Sequence, residues 1–297
     1  MEYILQTHDL TKIFGRHTAV DHVNMNIEKG EIYGFIGRNG AGKTTLMRMV
    51  LSLAFPSSGS IELFGEKDIK KVGNRIGSLI EAPGLYKNCT ARENLERFSI
   101  LYGSDRKKVP EILEFVGLAQ TGSKPAGKFS LGMRQRLGIA IAMLNDPELM
   151  ILDEPVNGLD PEGMKEVRSL IQKLNRERGI TVLISSHLLE ELSKLVTRYG
   201  IINNGQLLEE ISADDLEKNC THCLRVSVDD IEKSKSLLTQ IVPEQDIQVA
   251  DGKLRLMSHL EESGEINRLL VQNGVMVRSL EVQTDSLEDY FMKRIGG

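Results

Sequence analysis

The sequence predicts an α/β protein, with a largely parallel sheet as its core and a small α+β domain after it. Three observations carry this. Through residues 1 to about 210, short β-rich runs alternate with helical patterns, the signature of parallel strands joined by helices. A glycine-rich loop at 37–42 sits between a β-rich run and a helix-compatible one. Around Ile211–Asn219 the character changes, and no further glycine-rich loop of this kind follows.

Taken in order, residues of about 1–30 and 58–65 read as antiparallel strands with turns at Gly15 and Gly59. Strands are expected at Glu31–Ile36, Ser60–Phe64, Ile76–Ile80, Leu149–Leu152, Thr181–Ser185 and Gly200–Asn203. Residues of about 90–146 form a mostly helical subdomain. The remainder reads strand (Cys223–Val228), helix (Ile231–Ile241), strands (Asp246–Val249 and Lys253–Met257), helix (Glu262–Gln272), strand (Val275–Val282) and helix (Ser286–Ile295), an order that suits a split βαβ unit. The expected domains are therefore 1–215 and 216–297.

Length and composition agree with this plan. At 297 residues the chain has room for two domains and needs no disulfide or metal staple. A net charge of −5 argues against nucleic acid as a partner, because neutralising phosphates takes a basic surface. Three cysteines and no tryptophan exclude a disulfide scaffold and fit a reducing compartment. Met1–Asp9 has neither a basic region nor an apolar core, so no secretory signal is expected. No run approaches the roughly 20 apolar residues that span a bilayer.

The strongest local pattern is Gly37-Arg38-Asn39-Gly40-Ala41-Gly42-Lys43-Thr44. Backbone N–H groups can wrap phosphate oxygens there only where glycine lets the backbone approach, and a helix N-terminus favours the negative charge. Lys43 supplies a point charge to the outer phosphates, and Thr44 offers a hydroxyl to a metal ion. A plain turn with a surface lysine shares the letters but not the strand-to-helix setting. Leu149–Leu152 then delivers Asp153 and Glu154 to the carboxyl end of a buried strand, where open α/β sheets bind ligands. Asp153 suits a metal, and Glu154 suits the polarising of an attacking water.

With these two motifs the first 210 or so residues resemble the ATP-binding-cassette ATPases. Phe129-Ser130-Leu131-Gly132-Met133-Arg134-Gln135-Arg136-Leu137 is similar to that family's L-S-G-G-Q-x-Q-R-L signature, with Ser130 and Gly132 kept and Phe129, Leu131 and Met133 departing from it. Ser130 also suits a helix N-cap. Asn157-Gly158-Leu159-Asp160 resembles the family's intersubunit loop, and Asp160 before Pro161 is equally a good cap. His187 resembles the histidine that touches the terminal phosphate. Phe14 resembles the aromatic that stacks on adenine; its other reading is a core or hairpin phenylalanine. Where the family usually has a glutamine beside the metal, this chain has Glu81, a feature of cassettes that export peptide antibiotics or confer immunity to them.

The resemblance implies ATP and Mg²⁺ as the bound groups. Phe14, Gly37, Asn39, Gly40, Ala41, Gly42, Lys43, Thr44, Thr45, Glu81, Ser130, Gly132 and Asp160 would bind nucleotide. Thr44, Asp153 and Glu81 would face the metal, and Glu154, His187 and Lys43 would carry the chemistry. One phosphate loop and one signature per chain imply a head-to-tail homodimer in which each copy completes the other's site. They also imply a separate integral-membrane permease, met by residues within Glu81–Glu96. The chain is then expected to be cytoplasmic, held to the inner face of the membrane through that permease. Ile32–Gly40, Ser78–Gly84, Gly127–Leu137 and Asp285–Phe291 are most like the bacitracin-transport and lantibiotic-immunity ATPases. Two rival readings are a cassette ATPase acting on ribosomes or DNA, which usually carries two cassettes or a long coiled-coil insertion, and a regulator that binds nucleotide without hydrolysing it. Cys220-Thr221-His222-Cys223 has metal-ligand spacing but no second pair nearby, and is read as incidental.

Overall fold

The computed structural model describes residues 2–219, 222–250, 252–284 and 287–295. Its contacts divide the chain into two compact units, Met1–Asp214 and Asp215–Gly297. Cys220 and Thr221 of the cysteine pair, and Asp285 and Ser286 before the last helix, lie outside the described residues.

The first unit is built on a six-stranded sheet. Its members are β4 (Ile32–Ile36), β6 (Ile76–Leu79), β7 (Leu149–Asp153), β8 (Thr181–Ser186), β9 (Arg198–Asn203) and β10 (Gln206–Ser212). They lie in the order β10-β9-β4-β8-β7-β6, parallel except for β10 on β9. Every residue of β4, β7 and β8 is buried, as expected of strands covered on both faces. The edge strand β10 was not expected from its sequence, where Glu209 and Glu210 interrupt the alternation.

A second, antiparallel sheet joins β1 (Tyr3–Phe14), β2 (His17–Val23), β3 (Asn26–Glu28) and β5 (Ser58–Leu63). β1 and β2 turn at Gly15, with φ of 59°. Gly59 makes no turn. It lies inside β5 with φ of 83°, and a Cβ there would come within 2.3 Å of the Asp9 carbonyl oxygen. Glycine's missing side chain here serves close strand approach beside an irregular stretch of pairing, the other use of glycine in a sheet. Leu5 and Val20 from this sheet, and Met25 between β2 and β3, pack with Phe35, Leu149 and Leu183 of the parallel one and with Leu46 and Met49 of α1 (Lys43–Val50) in one core.

The helices of this unit follow their local signals. α2 (Ala91–Tyr102) starts in a capping box in which Thr90 and Glu93 satisfy each other's backbone donors. α3 (Val109–Phe115) carries Pro110 in its first turn. α4 (Leu131–Ala142), α5 (Pro161–Arg178) and the short α6 (Leu189–Ser193) complete the set, and α7 (Ala213–Asn219) runs across the boundary between units. Among the described residues no helix is long and apolar enough to cross a membrane.

Tyr33 on β4 ties the parallel sheet to its edge. Its hydroxyl donates to Glu210 Oε1 on β10 at 2.8 Å, across β9, where a Cβ on Gly200 would lie 2.1 Å from it. Burial, reinforced by the Glu210 carboxylate, pushes the phenol well above its ordinary range, so it donates as a neutral group.

The second unit has β11 (His222–Val228), α8 (Ile231–Leu238), β12 (Ile247–Ala250), β13 (Lys253–Leu256), α9 (Ser263–Gln272), β14 (Val277–Thr284) and α10 (Leu287–Ile295). Its sheet runs β12-β13-β11-β14, antiparallel at every pairing. Leu224, Val226, Leu254 and Leu256 pack there against Leu238 of α8 and Ile266 and Leu270 of α9.

Candidate functional site

The loop after β4 is shaped by what it cannot accommodate. A Cβ on Gly37 would meet the Ile202 carbonyl oxygen at 2.5 Å, and one on Gly42 the Ala19 carbonyl oxygen at 2.4 Å. Gly42 also holds φ of 108° immediately before α1. The loop therefore rests directly on neighbouring backbone and opens α1 toward a cavity of about 380 Å³. The β1–β2 hairpin contributes Phe14, His17 and Ala19 to its lining. The loop contributes Asn39, Gly40, Ala41, Gly42, Lys43, Thr44 and Thr45, and the far wall is Glu154 and Asn157.

Lys43 is buried, and its ammonium is met by polar groups. Its Nζ donates to the carbonyls of Gly37 at 2.7 Å and Arg38 at 3.3 Å, and lies 3.5 Å from Glu154 Oε1. The Thr44 hydroxyl donates to Asp153 Oδ2 at 2.7 Å. A hydroxyl and a carboxylate side by side are the hard oxygen donors that Mg²⁺ takes when phosphates and water complete its shell. The residues present thus fit both a polyphosphate and its metal.

β7 and β8 are adjacent and parallel, with Asp153 opposite Ser185. The Ser185 hydroxyl donates to Asp153 Oδ1 at 2.5 Å and accepts the Glu154 N–H at 2.9 Å. One side chain so fixes the Asp153 carboxylate and the backbone from which Glu154 projects. Glu154 sits in the left-handed region with φ of 51°, a conformation that costs an L-residue about 1 kcal/mol or more. Its Oε2 is 2.8 Å from His187 Nδ1, just beyond β8. Glu154 therefore stands between the Lys43 ammonium and the His187 ring.

Of the residues expected at the site, the structure gathers Lys43, Thr44, Asp153, Glu154 and His187 about one point. Phe14, 54% exposed at the hairpin tip, is not a core residue; the Lys12 ammonium lies over its ring, 4.9 Å from the centroid. Ser130 and Asp160 stand elsewhere, as side-chain caps of α4 and α5. Ser130 accepts from the Met133 N–H at 3.2 Å, and Asp160 from the Gly163 N–H at 3.1 Å. Gly132 faces the start of α5, where a Cβ on it would make an ordinary van der Waals contact with Gly163 Cα at 3.6 Å. Neither Ser130, Gly132 nor Asp160 lines the cavity of its own chain.

Glu81 is also absent from the cavity lining. It holds φ of 62°, and its carboxylate pairs with the guanidinium of Arg48, one helical turn along α1 from Thr44. Arg48, His17 and Ser185 were not singled out from sequence. For Ser185 the sequence offers only a hydroxyl near the end of an expected strand; that it faces Asp153 follows from the pairing of β7 with β8.

Comparison with known proteins follows this geometry. Residues 20–157 match the ABC transporter family. Over 302 residues the chain is 51% identical to the bacitracin transport ATP-binding protein BcrA of Bacillus licheniformis, a match that spans all of this chain and 99% of the relative. It is 42% identical over 214 residues to the lantibiotic transport ATP-binding protein SrtF of Streptococcus pyogenes, covering 72% of this chain and 93% of that one. Among solved structures, the ATP-binding cassette MJ0796, a dimer bound to ADP and Pi after hydrolysis, superposes with a TM-score of 0.63 at 26% identity, over 70% of this chain and 98% of the other.

Proposed function

The chain belongs to the ABC transporter family as an ATP-binding, ATP-hydrolysing subunit, and from that premise we propose that its ATPase drives export of a peptide antibiotic of the bacitracin or lantibiotic type. The observation that supports this most is the length of one likeness. The match to the bacitracin transport protein runs through the C-terminal unit as well as the ATPase unit, where the general ATPase motifs are absent.

In the reaction we infer, the β1–β2 hairpin receives the base against Phe14, and the loop N–H groups and Lys43 receive the phosphates. Mg²⁺, held by Thr44 and Asp153, would neutralise phosphate charge when bound. Glu154 accepts a proton from the attacking water, His187 steadies the Glu154 carboxylate from its other side, and Ser185 keeps both acids in place. Lys43 leaves its backbone carbonyls for the phosphates, exchanging neutral acceptors for anionic ones.

Ser130, Gly132 and Asp160 act on the nucleotide of a second copy in this reading. Their distance from their own cavity supports a head-to-tail homodimer with two ATP sites. ATP joins the copies, and hydrolysis parts them. A separate integral-membrane permease turns that motion into transport and holds the chain at the inner face of the membrane; residues within Glu81–Glu96 meet it. Nucleic acid has no part in this, given the net charge of −5.

The Arg48–Glu81 pair is exposed, at 45% and 64% of the two side chains, so as a surface contact it adds little stability. Its importance is where it puts a negative charge. Glu81→Gln is expected to leave ATP affinity within about twofold, since exposed pairs contribute less than about 1 kcal/mol. Resistance per ATP hydrolysed should change, because the neutral amide releases Arg48. Parallel assays of purified ATPase and of cell survival check this; both unchanged would count against the role.

The function itself is tested by antibiotic susceptibility of cells carrying the chromosomal Glu154→Gln variant, against bacitracin, lantibiotics and unrelated drugs. Selective hypersensitivity to a peptide antibiotic is the expected result. No change across the panel would leave an ATPase with another cargo.

A further inference from the structure

The chain between β6 and α2 is sewn to the turn before α4 by a seam that the chemistry at Asp153 and Glu154 does not use. Its hub is Asn94, in the first turn of α2 and completely buried. Asn94 Nδ2 donates to the carbonyls of Thr90 at 2.8 Å, Tyr86 at 3.1 Å and Cys89 at 3.3 Å, and its Oδ1 accepts the Tyr86 N–H at 2.8 Å. One amide thus closes Tyr86–Thr90 into a fixed loop. That loop is joined in turn to the segment leading into α4. The Ala126 N–H donates to the Cys89 carbonyl and the Gly127 N–H to the Lys87 carbonyl, each at 2.8 Å, and Thr90 bridges to Pro125. The fit at Gly127 is close, since a Cβ there would lie 2.9 Å from the Lys87 carbonyl oxygen. Three residues further on is Ser130, the cap of α4.

We propose that Asn94 is a positioning residue. It holds the Tyr86–Thr90 loop rigid, and the loop's own backbone, through Lys87, Cys89 and Thr90, is bonded to Pro125–Gly127, so that a displacement of the loop is delivered as a unit toward Ser130. A buried amide bonded at both ends transmits such a displacement because the alternative, a donor or acceptor left unsatisfied in the interior, is expensive. This rests on the reading of Ser130 as a group that closes on a second copy's ATP. The device serves turnover without touching the chain's own nucleotide, since neither the loop nor the segment lines the cavity.

Two variants separate positioning from mere folding. Asn94→Asp keeps the acceptor for the Tyr86 N–H and removes the donors. Gly127→Ala drives a wedge into the same seam from an exposed position. The full chain is assayed for kcat, for affinity toward a fluorescent ATP analogue, and, in a Glu154→Gln background, for ATP-dependent dimerisation. Both variants are expected to lower kcat about tenfold, with the double variant no worse than either, and to weaken the dimer. Nucleotide affinity of the single chain should stay at the wild-type value. Ser130→Ala should show the same pattern. Wild-type kcat in Gly127→Ala, or nucleotide affinity and melting temperature falling in step with kcat, would overturn the proposal. If Ser130→Ala lowers kcat and the seam variants do not, only the seam is wrong. If Ser130→Ala is itself without effect, the reading of the signature falls and the seam proposal with it.

Discussion

Glu154→Gln should lower ATP turnover by about 10²–10⁴-fold, the loss expected when a general base is removed. The substitution keeps the shape of the side chain and the backbone anchorage at Ser185, and it leaves Lys43 and the loop that meet the phosphates untouched. ATP binding should therefore survive. With binding intact and hydrolysis blocked, the two-copy assembly should accumulate on ATP and dissociate only when the nucleotide is removed. Size-exclusion chromatography with and without ATP, beside steady-state phosphate release, measures both halves. Turnover at the wild-type rate would remove Glu154 from the role of base.

Lys43→Ala has the opposite signature. Charge-assisted contacts to phosphate are worth on the order of 1.5–3 kcal/mol each, so losing two of them predicts at least about a hundredfold fall in ATP affinity. The variant also strips Glu154 of the Lys43 ammonium, 3.5 Å away. Without nucleotide no dimer should form, in contrast to Glu154→Gln, and the double variant should behave as Lys43→Ala. Equilibrium binding of a fluorescent ATP analogue decides this directly. An affinity within threefold of wild type would contradict the assignment.

How far the site could be read from sequence follows from how local each part is. The phosphate loop needs only neighbours in the chain: strand, glycines, lysine, helix. Asp153 and Glu154 need one further inference, that a buried strand ends there. Ser185 needs the knowledge that β7 and β8 lie side by side, a fact about sheet order that no local pattern carries. Arg48 beside Glu81 depends in the same way on tertiary placement. His17 faces Phe14 across the local turn at Gly15, and only the cavity that both line is tertiary. Gly59 was misread for a different reason. Glycine marks turns and close backbone approach alike, and only the partner strand at Asp9 distinguishes them. In β10 the acids that hid the strand have a use, since Glu210 accepts from the Tyr33 hydroxyl and from the Asn26 N–H.

That last contact also restricts the protein's history. Tyr33 reaches Glu210 only by passing over a residue without a side chain, so positions 33 and 200 form a single heritable unit. A Cβ at 200 is intolerable while the phenol is present, and trading the phenol away first takes from the half-buried Glu210 one of its donors. Neither substitution is an acceptable first step, so drift at either site is blocked until both change together. Related sequences should carry the pair Tyr and Gly, or have lost both.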